Sequence, residues 1–126
     1  MKVLIFNDEQ KKLDEVKGVL DHVLKGYSVE ITFAHVGNSF EANRACGRGE
    51  FDIIFADHFL DKLEPSNNAF RIVLRAQHYG ARVFTTTEDT DVASKEYLPK
   101  GIPHVPLVGH LIAEKILELL DARQFK

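Results

Sequence analysis

The chain has 126 residues, 44% of them hydrophobic and 28% charged, with a formal net charge of −3. That composition is ordinary for a folded domain with a full core and excludes a disordered or low-complexity chain. The mildly acidic balance argues against nucleic-acid binding, which calls for a basic stripe, and the single cysteine, Cys46, rules out an intramolecular disulfide and suits a reducing compartment.

The N-terminus opens on Val3-Leu4-Ile5-Phe6, an apolar run too short for a signal-peptide core or a membrane span. A cytoplasmic protein with no membrane association is expected, organised as one domain over residues 1–126. The run reads as a strand buried on both faces. Asn7 and Asp8 follow it, placed to cap the next helix, on which Leu13, Val16, Leu20 and Leu24 recur at helical spacing before Gly26. Residues 28–34 alternate as a second strand, and 39–46 read as a short helix broken by Gly47 and Gly49. The apolar run Ile53-Ile54-Phe55-Ala56 gives a third strand that closes on Asp57. A polar loop over 60–68 leads to a helix over 69–79, stopped by Gly80, and 82–87 give a fourth strand. The polar stretch 88–98 holds a short or weak helix, Pro99-Lys100-Gly101 makes a turn, and 102–107 read as the fifth strand. The last helix carries Leu111, Ile112, Ile116, Leu119 and Leu120 on one face.

Strand and helix alternate throughout, which specifies an α/β fold: a doubly wound five-stranded parallel sheet in the order 2-1-3-4-5. Ligands of such sheets bind at the carboxyl ends of the strands. Asn7, Asp8, Asp57 and Thr87 stand there, with a position near Val105. Asp8 and Asp57 close the first and third strands, neighbours about 5 Å apart in that order. Carboxylates so close repel unless a cation joins them, and hard oxygen ligands suit Mg²⁺. Asn7 adds an oxygen directly or through water, whereas Glu9 begins the helix and points away. Thr87 offers a hydroxyl to a phosphoryl oxygen. A carboxylate nucleophile, a divalent metal and a hydroxyl donor are the parts of an aspartyl-phosphate site. Taken singly, Asp8 reads as a helix cap and Asp57 as a loop carboxylate; their joint placement points to a site.

Other residues read more plainly. His58 is a candidate acid, base or metal ligand, and best a side chain at the pocket rim. His104 and His110 lack the spacing of a zinc site. Cys46 is a buried small residue, and Lys11, Lys12 and Lys17 form the solvated face of the first helix.

The segments VLIFNDE, FDIIFADHFL, RVFTTTED and VPLVGHLIAEKILELL together resemble the receiver domain of two-component response regulators. The resemblance covers almost the whole chain and implies a flavodoxin/CheY-like three-layer sandwich. It implies Asn7 and Asp8 at the acidic pair that holds Mg²⁺, Asp57 as the phosphoacceptor and Thr87 as the strand-four hydroxyl. It also implies a histidine kinase or phosphotransfer protein as phosphodonor and a downstream protein target. The family's strand-five lysine, followed by proline, aligns in two ways: at Lys100, after Tyr97-Leu98-Pro99, or at Val105-Pro106. The second keeps the last helix in register and removes the cation, unless Lys100 reaches in from the loop. Asn7 removes one charge of the acidic pair, Ile102 stands near the aromatic switch position, and Asp61 replaces a proline. These departures describe an atypical receiver. Three functions follow: a stand-alone module phosphorylated at Asp57; a phosphorylation-independent interaction module, including a homodimer; and a phosphoesterase-like enzyme using Asp57 and His58.

Overall fold

The computed structural model describes residues 1–60 and 67–124. The first strand, β1 (Lys2–Asn7), lies inside the sheet with Val3, Leu4, Ile5 and Phe6 fully buried. It pairs in parallel with β2 (Glu30–His35) on one side and β3 (Ile53–Ala56) on the other. Beyond β3 lies β4 (Arg82–Thr85), also parallel, so the order is β2-β1-β3-β4. Continuous apolar runs are what a sheet covered on both faces demands.

Alternate residues of the strands enter two separate core layers. Leu4, Phe6, Ile54 and Val83 face α2 (Ser39–Cys46) and α3 (Phe70–His78), which contribute Ala42, Cys46, Val73 and Ala76. Val3, Ile5, Phe55 and Phe84 face α1 (Gln10–Val23) and α5 (Gly109–Gln124), which contribute Leu13, Val16, Leu20, Ile112 and Ile116. The apolar face expected for α1 is buried, Leu24 included. That of α5 is shifted: Ile112, Ala113, Ile116 and Leu120 are buried, while Leu111 is 41% exposed. Gly109 lets α5 approach α1 closely, for a Cβ placed there would lie 2.5 Å from the Cβ of Val19.

The expected fifth strand does not form. Residues 102–107 make one parallel bridge, between Thr85 and His104. The Thr85 amide donates to the Pro103 carbonyl and the Val105 amide to the Thr85 carbonyl, each at 3.0 Å. Pro103 faces β4 but has no N–H to donate, which stops the ladder on one side, and on the other His104 Nε2 bonds the Thr87 carbonyl at 2.8 Å. Among the described residues the sheet therefore has four strands, with the outer edge of β4 tacked down at one point.

The polar stretch after β4 winds unevenly through α4 (Thr90–Val92), a π-helical turn (Ala93–Tyr97) and a 3₁₀ turn (Leu98–Lys100). Asp89 caps its start by accepting from the Val92 amide, and the buried Tyr97 anchors its middle. Asp61 and most of the polar loop expected over 60–68 lie outside the described residues. No helix among the described residues is long and apolar enough to cross a membrane.

Candidate functional site

The ends of β1, β3 and β4 stand side by side, which places the candidate residues. Phe6 pairs with Ala56, and the Asp57 amide donates to the Phe6 carbonyl at 3.3 Å. Asn7 and Asp8 therefore emerge beside Asp57. On the other flank Ala56 pairs with Thr85, and the Thr86 amide donates to the Ala56 carbonyl at 2.9 Å. Asn7, Asp8, Asp57, Thr86 and Thr87 line one cleft of about 240 Å³. Its other walls come from α1 (Glu9, Lys12), the loop after β4 (Glu88, Asp89), Phe59 and Leu107.

Among the described residues, five carboxylates line this cleft against a single ammonium, that of Lys12. Asp57 is buried, and its Oδ1 accepts from the His58 amide at 3.0 Å. Burial, followed by the charge of Asp8 and a hydrogen bond with the Asp8 side chain, pushes Asp57 up to about 7; the His58 amide opposes the shift. Without a cation Asp57 keeps its proton into the neutral range. Asp8 and Asp57 would hold a divalent ion, whose charge would take the place of that proton. No group of three His, Cys, Asp or Glu able to hold a metal occurs among the described residues. Two carboxylates fit Mg²⁺, which keeps several waters and completes its shell with substrate phosphate oxygens.

Asn7 is 5% exposed and engages its Oδ1 with the Glu9 amide at 2.8 Å. It shapes the turn into α1, so the oxygen expected as a metal ligand is already engaged with the main chain. The N-cap position of α1 is Glu9, not Asp8, which frees Asp8 for the cleft. Glu9 does not point away: it lines the cleft and lies 3.8 Å from Lys12 Nζ. Lys12, read from sequence as part of a solvated stripe, donates to Glu88. That bond, with burial opposing, raises its pKa. The available signal was its spacing, four residues after Asp8 on the first turn of the helix.

Lys100 is not brought to the cleft. It is exposed in the 3₁₀ turn, and its carbonyl accepts from Gln77 Nε2 beside the C-terminal end of α3, where the chain turns into β4. Val105 holds the position next to Thr85 and is buried.

His58 is not at the rim. It is 3% exposed and faces away from Asp57, its Nδ1 2.5 Å from the Tyr97 hydroxyl and its Nε2 3.9 Å from Glu96. Its ring meets those of Tyr97 and Phe59 edge to face. Burial lowers its pKa, against the charges of Glu96 and Asp89. Alternation along an extended chain sends neighbours to opposite faces, so a cleft-facing Asp57 requires a hidden His58.

The three threonines differ in their hydroxyls. Thr85 Oγ1 accepts from the Thr87 amide at 3.4 Å, and Thr87 Oγ1 accepts from the Asp89 amide at 3.2 Å. Thr86 Oγ1 is buried with no hydrogen-bond partner among the described residues.

No family model and no curated protein matches the chain. Solved structures do. The chain is similar to a CheY-like response regulator receiver domain protein from Methanospirillum hungatei JF-1, at 21% identity and a TM-score of 0.70, covering 98% of this chain and 95% of that one. A response regulator receiver domain protein from Clostridium thermocellum gives 19% identity and a TM-score of 0.69, covering 98% and 97%. The BeF3-activated receiver domain of DrrB gives 15% and 0.65, covering 95% and 97%. At such identities the likeness is one of fold, and the fold is that of response-regulator receiver domains over nearly the whole chain.

Proposed function

We propose that the protein is a cytoplasmic receiver module of a phosphorelay, phosphorylated on Asp57 with Mg²⁺ held at Asp8 and Asp57. The observation that carries this reading is the carboxyl pair at the ends of adjacent strands, with threonine hydroxyls at the end of the next. In the step itself, an Asp57 carboxylate oxygen attacks the phosphorus of a phosphohistidine on a histidine kinase or phosphotransfer protein. The O–P bond forms as the P–N bond breaks, and the electron pair leaves on the imidazole. Mg²⁺, when bound, neutralises charge on the transferring group and keeps Asp57 ionised. The His58 amide holds Oδ1 in place, which leaves the other oxygen for attack. Thr87 lines the same cleft and is the candidate donor to a phosphoryl oxygen.

Incubation of the chain with a small-molecule phosphodonor and Mg²⁺ tests this reading by intact mass. One added phosphoryl group is expected, dependent on Mg²⁺ and absent in Asp57→Asn. No adduct in the wild type, with or without Mg²⁺, overturns it.

A second reading, a phosphorylation-independent interaction or homodimerisation module, is favoured by one observation: apolar Val105 and remote Lys100 leave the fifth segment with no cation at the cleft. An enzyme pairing Asp57 with His58 as acid or base has no support, since the His58 ring is turned to Tyr97.

A further inference from the structure

We propose that the groove between α2 and α3 docks an acidic amphipathic segment of a partner protein. Its apolar side chain would sit between Phe40 and Phe70, and its carboxylates on Arg71 and Arg75. The proposal does not depend on the chemistry at Asp57.

Shape is the first argument. A cavity of about 670 Å³ opens at this place, with Phe40, Asn43, Phe70 and Arg71 in its walls. Phe40 is 72% exposed, more than any other large apolar side chain among the described residues. The buried positions of α2 are Ala42 and Cys46, so the core of this chain leaves the Phe40 ring uncovered. One exposed ring is ordinary; a ring facing a cavity with a second ring in its wall is a place for an apolar anchor. Phe70 is that second ring, held edge to face by the buried Tyr97 at 5.2 Å. The flanking helices have 8 and 9 residues, which gives a groove about two to three helical turns long.

Charge is the second argument. The two helices carry Arg44, Arg71 and Arg75, no lysine, and a single acidic residue, Glu41. Glu41 is turned back on the start of α2, where it accepts from the Gly37 amide at 3.1 Å and from Asn38 Nδ2 at 3.3 Å. None of the three guanidiniums pairs with a carboxylate among the described residues, whereas Lys12, Lys17 and Lys115 of the other helices each do. A chain with a net charge of −3 therefore keeps an uncompensated positive patch on this one helix pair. Glu96 lines the end of the cavity next to His58 and repels a carboxylate there, so the acids of the segment belong at the arginine end.

The third argument is that one arginine is already held. Arg75 Nη1 donates to Asn43 Oδ1 across the two helices at 3.1 Å, and its guanidinium lies 5.7 Å from the centre of the Tyr79 ring. A guanidinium fixed in this way loses little freedom on binding and offers its remaining N–H groups to a planar carboxylate. Arginine and aromatic side chains anchor protein interfaces, whereas lysine is depleted there. A nucleic acid needs a continuous basic stripe, which Glu41 and Glu96 interrupt.

The ¹⁵N-labelled full chain, titrated with a synthetic helical peptide of about twelve residues bearing leucines on one face and glutamates beside them, tests the proposal by NMR. Amide shifts are expected to cluster at Phe40, Asn43, Arg71 and Arg75, with binding that weakens as salt rises. Phe40→Ala, and Arg71→Gln combined with Arg75→Gln, should each weaken binding by about tenfold or more. Lys11→Gln, which removes a charge from α1, should stay within about twofold of wild type. The spectra of the free variants, unchanged away from the substitutions, establish that they fold. Absence of shifts at the groove, or wild-type affinity in either groove variant, overturns the proposal. A single-stranded oligonucleotide that shifts the same residues at lower concentration than the peptide overturns it in favour of nucleic acid. Shifts at those residues on concentrating the chain without peptide overturn it in favour of a second copy.

Discussion

Lys12 in the first turn of α1 donates from Nζ to Oε1 of Glu88 in the loop after β4, tying helix to strand end across the mouth of the cleft. The side chains are 35% and 82% exposed, so the pair contributes at most about 1 kcal/mol to stability. Glu88→Gln is expected to leave the thermal midpoint within about 2 °C of wild type. Because it releases Lys12, it should tighten beryllofluoride binding by about threefold at low salt, a gain that shrinks as salt rises. Unchanged affinity at low salt would show that Glu88 does not compete for the ammonium.

The pH dependence of stability carries two opposing contributions. Asp57 in the folded protein is raised to about 7, above its ordinary range, by burial and by Asp8. The folded state therefore keeps its proton longer than the unfolded chain. This contribution is full below about pH 4 and is lost as pH rises through about 7. His58 is lowered by burial, so its contribution has the other sign: present above its ordinary pKa of about 6.5 and lost as pH falls below it. In Asp57→Asn only the His58 contribution of the two remains. The midpoint of Asp57→Asn relative to wild type should rise by about 3 °C or more between pH 5 and pH 8 in chelator. Millimolar Mg²⁺ should remove most of that difference by stabilising the wild type at the higher pH. A pH-independent difference in thermal melts would exclude the shift on Asp57.

Tyr97 and His58 are both buried and bonded to one another. Tyr97→Phe keeps the ring packing against Phe70 and His58 but leaves His58 Nδ1 without its partner. A loss of about 1–3 kcal/mol is expected in urea titrations, with an unchanged slope. A loss below about 0.5 kcal/mol would mean that the imidazole finds another partner.

Gly109→Ala tests the close approach of α1 and α5. The added methyl would meet the Cβ and both γ-carbons of Val19 within 2.8 Å. The helices must separate, at a cost of about 1–3 kcal/mol. Val19→Ala should rescue little of it, because the colliding Cβ remains. Full rescue in the double variant, measured by thermal melts, would place the clash on the γ-carbons alone.

Much of the fold is legible in particular residues. The runs Val3–Phe6 and Ile53–Ala56 announce buried parallel strands, and Ser39 and Cys46 bound a helix where spacing and glycines put it. Asp8 and Asp57 follow from strand ends, because topology alone makes them neighbours. The apolar pattern of residues 102–107 reads as a strand, but Pro103 has no N–H to give β4 and His104 Nε2 bonds the Thr87 carbonyl, so one bridge forms. Lys12 was hidden because one lysine in a helical stripe looks like the next until the strand beneath the helix is known. Three consecutive threonines look alike in the sequence, and only the structure separates them: Thr85 and Thr87 accept from main-chain amides, while Thr86 Oγ1 is buried with no partner among the described residues.

The two hydrogen bonds at Thr85 are the whole main-chain attachment of the fifth segment to the sheet among the described residues. Detaching it breaks far less than separating β1 from its neighbours, so it forms a low-energy opening unit beside a rigid interior. Amide exchange through that opening should be fastest at Thr85 and Val105 and slowest at Leu4 and Ile54. The fold therefore divides its stability unevenly. The strands that carry Asp8 and Asp57 stay locked, while the flank that carries Thr86 and Glu88 borders a seam that opens without unfolding the domain.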